Sequence, residues 1–144
     1  MSIEQAVTPN TYIQWYSKSR RQNWRTPPDF FEALHAEFGF TMDGASEPGN
    51  GLLPLHSTVE SPIAWRNHRV FCNPPWSNIA PFIEYAADAI LAVLLVPART
   101  NSRWFHRALA LGAEPRFFVG RIKFVGAANN CPADCCLLVF RRQR

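Results

Sequence analysis

The spacing of apolar residues predicts an α/β chain, and the first element it indicates is a helix. Apolar residues recur at helical spacing through 30–38, and Gly39 follows where such a helix would end. Thr26 has the chemistry of an N-cap, and Pro27 suits the first helical position. We therefore expect a helix that begins at Thr26-Pro27 and ends at Gly39.

Apolar runs without polar alternation predict strands that are buried on both faces, as in parallel sheets. The runs are residues 70–72, 90–96 and 135–140, and two further short strands are predicted at 40–43 and 53–59. These segments would form the core of one sheet.

Helices and one turn complete the predicted elements. Residues 81–89 are expected to form a helix capped by Ser77 or Asn78, and a second helix is expected over 103–111. Segments 116–119 and 122–125 flank a glycine turn, which predicts a hairpin. The expected fold class is a compact α/β domain with a mostly parallel sheet and a C-terminal antiparallel hairpin.

Chain length limits the number of domains. The 144 residues suffice for one α/β domain but leave no room for a separate target-recognition domain. We assign residues 25–144 to this domain and residues 1–24 to a basic, aromatic N-terminal arm. The apolar run 86–96 is too short for a membrane span, and the N-terminus lacks a signal-peptide pattern, so we expect a soluble, cytoplasmic protein.

The net charge of +4 is unevenly distributed. Basic residues near the N-terminus alternate with tryptophan and tyrosine, a combination suited to phosphates and unstacked bases. These basic residues are Lys18, Arg20, Arg21 and Arg25. The arginines at the C-terminus fit either a nucleic-acid contact or a solvated tail equally well.

Asn73-Pro74-Pro75-Trp76 is the segment with the most specific chemistry. A planar amine on a base or an amide is a poor nucleophile because its lone pair is delocalised. The Asn73 side-chain carbonyl and the Pro74 backbone carbonyl can each accept one N–H of such an amine. Two prolines hold these acceptors rigid, and Trp76 offers a face on which a flipped base can stack. The alternative is a simple proline turn that ends a buried strand.

Two further features fit a cofactor site. Gly44 and Ala45 follow the predicted strand 40–43, and small residues there let a ligand approach the backbone. Glu60 lies near the position where Rossmann-like folds bind ribose hydroxyls, although a surface carboxylate is the alternative. The four cysteines and the histidines lack the spacing of a metal site, so we expect no metal and mostly buried, reduced thiols.

Several segments together resemble the phage-type Dam family of DNA adenine methyltransferases, over roughly residues 22 to 140. The segments are Trp24-Arg25-Thr26-Pro27-Pro28, Phe40-Thr41-Met42-Asp43-Gly44-Ala45-Ser46, Val70-Phe71-Cys72-Asn73-Pro74-Pro75-Trp76-Ser77-Asn78, Pro97-Ala98-Arg99-Thr100 and Gly120-Arg121-Ile122-Lys123-Phe124. The resemblance implies a Rossmann-like methyltransferase of a phage or prophage. It would act in the bacterial cytoplasm on double-stranded DNA, with S-adenosylmethionine as cofactor.

The resemblance also implies roles for individual residues. Thr26 and Pro27 would close over the methionine end of the cofactor, and Asp43 would lie in the loop that binds its amino group. Asn73 falls on the catalytic motif and beside the cofactor. The chain departs from the wider class in lacking Gly-x-Gly after the first strand and in having Trp76 where tyrosine is commoner.

The implied reaction is methylation of the exocyclic amine of a flipped adenine. Four basic residues are candidate DNA contacts because they lie on predicted loops near the sheet edge where the Asn73 motif is expected. They are Arg99, Arg103, Arg121 and Lys123. The alternative is that they form a solvated surface. Asn-Pro-Pro-aromatic motifs also serve methyltransferases of RNA bases or of a protein glutamine amide. A DNA-binding protein without catalysis is a further alternative.

Overall fold

A computed structural model describes residues 25–46, 51–58, 61–127 and 129–142. The predicted arm, with Lys18, Arg20 and Arg21, lies outside these residues, and so does Glu60. No helix within the described ranges is long and apolar enough to span a membrane.

The described residues form three helices and one five-stranded sheet. The helices are α1 (Pro28–Phe38), α2 (Ala80–Asp88) and α3 (Arg103–Ala110). The strands are β1 (Met42–Asp43), β2 (Arg69–Cys72), β3 (Leu91–Pro97), β4 (Glu114–Phe117) and β5 (Cys135–Arg141). This confirms the predicted α/β class.

The sheet has the order β1-β2-β3-β5-β4. β2 pairs in parallel with β1 and with β3, whereas β5 is antiparallel to both β3 and β4. The sheet is therefore mixed: it is parallel in its first half and antiparallel in its C-terminal half, rather than mostly parallel.

β3 is the centre of the core. Every residue from Leu91 to Pro97 is buried, and Leu94 lies between Cys72 of β2 and Leu138 of β5. A strand with neighbours on both edges and packing on both faces has no polar positions. This explains why its apolar run was the clearest strand signal.

The start of α1 differs from the prediction. Pro27 is the N-cap residue, with an extended backbone (ψ 134°), and the helix begins at Pro28. A residue that precedes proline is disfavoured in helical conformation, so Pro28 excludes Pro27 from the helix and moves Thr26 out of the capping position. The predicted end is confirmed, because Gly39 adopts a left-handed conformation with φ 62°.

The start of α2 also lies elsewhere than predicted. Its N-cap is Ile79, without a side-chain cap, and neither Ser77 nor Asn78 caps the helix. The Asn78 backbone N–H donates to the Pro75 carbonyl, so these residues form a turn of their own before the helix begins.

The predicted strand 53–59 is wrong over its described residues. In the segment 51–58 we find a single bridge between Asp43 and His56, with no regular strand. Pro54 lies within the apolar run and has no N–H to donate to a ladder, which weakens a strand at this position.

The predicted pairing of segment 116–119 with segment 122–125 is wrong, although the C-terminal strands are antiparallel as expected. β4 pairs with β5, and segment 122–125 lies in the connection between them. Ile122 and Phe124 are buried while Lys123 is exposed, so this extended segment packs on the core by itself. Its one bridge joins Val125 to Arg25.

These helix starts make a direct prediction about stability. Ser102 caps α3, because its hydroxyl oxygen accepts the Phe105 N–H at 3.4 Å. Ser102→Ala should lower the free energy of unfolding by about 0.5–2 kcal/mol, measured by urea denaturation. Ser77→Ala is the control and should change it little. Equal losses in the two variants would contradict the assigned caps.

Candidate active site

The carboxyl ends of the parallel strands lie at one edge of the sheet, which we call the carboxyl edge. β1 ends at Asp43, β2 at Cys72 and β3 at Pro97. Since Pro97 pairs with Cys135 and Cys136 pairs with Phe117, the start of β5 and the end of β4 lie at this edge too. Open α/β sheets bind ligands at this edge.

Asn73 lies at the carboxyl edge because it follows β2 directly. Its side chain is buried, with 7% exposed, and its amide nitrogen donates a hydrogen bond to the Thr26 hydroxyl at 3.4 Å. Thr26 is also buried. Because the two amide heteroatoms share one carbon, the side-chain carbonyl of Asn73 points away from Thr26.

The rest of the motif forms a rigid, enclosed turn. Pro74 is buried and Pro75 is half-buried, and the Pro75 carbonyl accepts the Asn78 N–H at 2.9 Å. Trp76 is only 3% exposed. Its indole meets the ring of Phe124 edge to face, with 6.1 Å between centroids and 79° between planes.

The segment that contacts Trp76 is attached to the chain just before α1. The Val125 N–H donates to the Arg25 carbonyl at 2.9 Å, and the Cys131 N–H donates to the Ile122 carbonyl at 2.8 Å. Phe124, next to Val125, is thereby held against Trp76. We call residues 118–127 and 129–134 the covering segment.

Asp43 organises the loop after β1. Its carboxylate is buried and accepts backbone N–H groups from Ala45 at 3.2 Å and from Leu52 at 3.0 Å, one on each oxygen. Gly44 packs directly on Trp65, where an added Cβ would lie 2.4 Å from the indole. Only glycine therefore fits this position without displacing Trp65.

A cavity of about 690 Å³ opens beside this loop. Gly44 and Ala45 line it together with Pro75, so the cavity lies next to the Asn73 motif. Trp65, Phe82 and Tyr85 form an aromatic wall, with ring centroids 5.6 to 6.2 Å apart. The other lining residues are Ser46, Ser57, Thr58, Pro62, Ile63, Ala64, Glu84 and Asp88.

The structure places some of the predicted cofactor residues at the cavity and others outside it. Gly44 and Ala45 line the cavity, and the Asp43 carboxylate supports their loop by accepting the Ala45 N–H. Thr26 contacts Asn73 instead of lining this cavity, and the Pro27 carbonyl accepts the Phe31 N–H in the first turn of α1.

The candidate DNA contacts are brought near the same edge. Arg99 follows β3, and Arg103 is the exposed first residue of α3. Arg121 and Lys123 are exposed on the covering segment, where Arg121 forms an ion pair with Asp134 at 3.4 Å. Both partners of that pair are largely exposed, so it is weak and can exchange for a phosphate.

Sequence reasoning missed the aromatic wall. Phe82 and Tyr85 are three residues apart on α2, a spacing that places them on one helix face. Trp65 gave no such signal, because it reaches the cavity from an irregular segment.

The four cysteines are buried free thiols, which confirms the expected burial. Burial raises the pKa of Cys136 to about 11, and a hydrogen bond with Cys131 together with burial raises the pKa of Cys135 further. Such thiols stay protonated and unreactive at neutral pH. Among the described residues, no group of three or more His, Cys, Asp and Glu side chains is placed to hold a metal ion.

A family model described as DNA N-6-adenine-methyltransferase (Dam) matches residues 15–143 of the chain. No curated protein matches the chain. The match spans nearly the whole chain, so it includes every element of the sheet and the Asn73 motif. Family membership implies methylation of adenine N6 in DNA with S-adenosylmethionine. The chain belongs to the Dam family of DNA N-6-adenine methyltransferases.

Proposed function

We propose that the chain methylates the exocyclic amine of an adenine that is flipped out of double-stranded DNA into the Asn73-Pro74-Pro75-Trp76 site. One observation carries this proposal: Asn73 is buried at the carboxyl edge, with its amide nitrogen held by Thr26 and its carbonyl directed away from Thr26. Pro75 joins this motif to the neighbouring cavity.

The two carbonyls of the motif supply the chemistry that the adenine amine requires. The side-chain carbonyl of Asn73 and the backbone carbonyl of Pro74 can each accept one N–H of the amine. With both hydrogens held, the nitrogen can become pyramidal, so its lone pair is withdrawn from delocalisation into the ring and can point at an electrophile. The prolines fix the backbone, so these acceptors need little reorganisation during the reaction.

The residues of the cavity fit S-adenosylmethionine. The cavity volume of about 690 Å³ lies within the usual range for small-ligand sites. The aromatic wall suits an adenine ring, the hydroxyls of Ser46, Ser57 and Thr58 suit a ribose, and the Asp88 carboxylate suits a cationic ligand. The Glu84 carboxylate also lines the cavity, but it is paired with the Arg107 guanidinium at 2.7 Å. When bound, this cofactor supplies an electrophilic methyl group. Glu60, which lies outside the described residues, remains a proposed ribose contact.

Trp76 is the proposed platform for the flipped adenine. Because Trp76 is 3% exposed and its indole contacts Phe124, a base reaches the indole only when this contact opens. Stacking of a base on an aromatic ring contributes about 1–3 kcal/mol. This contribution can replace the edge-to-face contact with Phe124, which is of similar size.

Asn73 has no basic group that could remove a proton from the amine. The amine nitrogen becomes cationic as it gains the methyl group, and it is then strongly acidic. We propose that the proton leaves to solvent, because none of the described motif residues carries a base.

Basic residues near the carboxyl edge would hold the DNA backbone. Arg99, Arg103, Arg121 and Lys123 are suitably placed, and phosphate neutralisation by such residues is independent of sequence. Lys18, Arg20 and Arg21 are proposed to extend this surface as an arm, although they lie outside the described residues.

The remaining expectations are proposals about architecture. The parallel order β1-β2-β3, with α2 connecting β2 to β3, supports a shortened Rossmann-like fold, with residues 25–144 as the single catalytic domain. A phage or prophage setting is part of the same proposal.

We expect Asn73→Ala to lower kcat by about 10²–10³, the usual cost of removing a preorganised polar group. Labelled methyl incorporation into DNA measures kcat, and calorimetry should show a cofactor Kd within twofold of wild type. Asn78→Ala is the matched control, because this exposed residue lies in the same turn. Near wild-type turnover in Asn73→Ala would refute the mechanism.

Asp43→Asn tests the loop after β1. One amide oxygen cannot replace two carboxylate oxygens, so the free energy of unfolding should fall by about 1.5–3 kcal/mol. S-adenosylmethionine at 100 times its Kd should stabilise the wild type by about 2.7 kcal/mol, and this gain should shrink in the variant. Thermal unfolding with and without cofactor measures both effects.

The control for Asp43→Asn is Asp29→Asn, an exposed position in the first turn of α1. Loss of its charge should cost about 0.3–1 kcal/mol and leave the cofactor effect intact. A cofactor response in Asp43→Asn equal to that of the wild type would remove this loop from the cofactor site.

Lys123→Ala and Arg103→Ala test the DNA surface. Each should reduce the slope of log K against log salt concentration by about 0.9 on duplex DNA, without changing kcat at saturating DNA. Arg66→Ala is the control, since Arg66 is exposed before β2, at the opposite edge of the sheet. An unchanged slope in both test variants, measured by fluorescence titration, would contradict phosphate contacts here.

A further inference from the structure

Thr26 and Asn73 meet through their side chains although they are 47 residues apart in the chain. Thr26 is 4% exposed and Asn73 is 7% exposed, so the contact lies inside the protein. The Asn73 amide nitrogen donates and the Thr26 hydroxyl oxygen accepts, at 3.4 Å. Thr26 does not cap α1, which leaves its hydroxyl for this contact.

The contact matters because an asparagine amide has two different ends. Its oxygen accepts hydrogen bonds, whereas its nitrogen donates them. An adenine amine offers two N–H donors, so the oxygen must face the amine. In the flipped orientation two donors would oppose each other, and the amine would lose one of its acceptors.

We propose that Thr26 is a positioning residue that holds the Asn73 amide in its catalytic orientation. By accepting the amide N–H, Thr26 holds the nitrogen on its own side and directs the oxygen to the opposite side. This inference rests on the proposed function for its catalytic consequence, but the contact itself is independent of it.

The backbone around Thr26 is well suited to this role. On one side, the Arg25 carbonyl accepts the Val125 N–H at 2.9 Å. On the other side, Pro27 and Pro28 fix the entry into α1, and the Pro27 carbonyl accepts the Phe31 N–H at 3.1 Å. Thr26 is therefore held between a bridge to the covering segment and the first turn of a helix.

A positioning role and a direct cofactor contact predict different kinetics. If Thr26 acts through Asn73, its loss lowers kcat and leaves cofactor affinity unchanged. If Thr26 binds the methionine end of the cofactor, its loss raises the Kd and KM for S-adenosylmethionine.

Thr26→Val removes the hydroxyl at nearly constant shape, and Thr26→Ser keeps it. We expect kcat to fall about tenfold in Thr26→Val and to stay within threefold of wild type in Thr26→Ser. The cofactor Kd should stay within twofold in both. A raised Kd with unchanged kcat in Thr26→Val would overturn the proposal.

Asn73→Asp provides a second test, because both oxygens of a carboxylate accept hydrogen bonds and its orientation no longer matters. In that background, Thr26→Val should lower kcat by less than threefold. An equal loss in the two backgrounds would show that Thr26 acts by a route other than amide orientation, and would overturn the proposal.

A readout without catalysis separates this inference from the proposed function. The side-chain amide signal of Asn73 in a ¹H–¹⁵N spectrum, assigned by its loss in Asn73→Asp, should shift and exchange faster with solvent in Thr26→Val than in Thr26→Ser. An unaltered signal in Thr26→Val would refute the contact. A Thr26-dependent signal in a wild-type protein that methylates no DNA would refute the proposed function and retain the contact.

Discussion

Parallel pairing of β2 with β1 and with β3 brings the ends of three strands to one edge of the sheet. Asp43, Asn73 and the loop after Pro97 are far apart in the chain, yet this pairing makes them neighbours. The reversed direction of β5 adds the covering segment to the same edge. Without this register, the Asn73 motif would be a rigid turn beside no cavity.

The motif itself is held closed. Trp76 packs against Phe124, and the covering segment is joined to Arg25 by a backbone hydrogen bond. The same short stretch carries Thr26, which contacts Asn73. The contact between Phe124 and Trp76 and the contact between Thr26 and Asn73 therefore share one structural support, the stretch Arg25-Thr26.

The sequence predicted the elements whose signals are local. The buried strand β3 was evident from its uninterrupted apolar run, and Gly39 correctly marked the end of α1. The predictions failed where tertiary contacts or a neighbouring proline decide the outcome. Pro28 displaces Thr26 from the cap, and burial of Phe124 against Trp76 draws its segment away from the expected hairpin.

The candidate site was only partly predictable for the same reason. Asn73 could be found because it directly follows a buried strand. Gly44 could be found because it is a small residue that directly follows a second strand. The aromatic wall could not, since Trp65 reaches it from an irregular segment and contacts residues of α2. Its members share no local pattern and become neighbours only through packing.

The central claim is that this edge presents a planar amine of DNA to a methyl donor. The most direct measurement incubates the purified chain with labelled S-adenosylmethionine and separate DNA, RNA and protein acceptors, and identifies the modified group by mass spectrometry. We predict N6-methyladenine in duplex DNA at a rate at least 100-fold above the other acceptors. Label in RNA or in a glutamine amide, with none in DNA adenine, would contradict it.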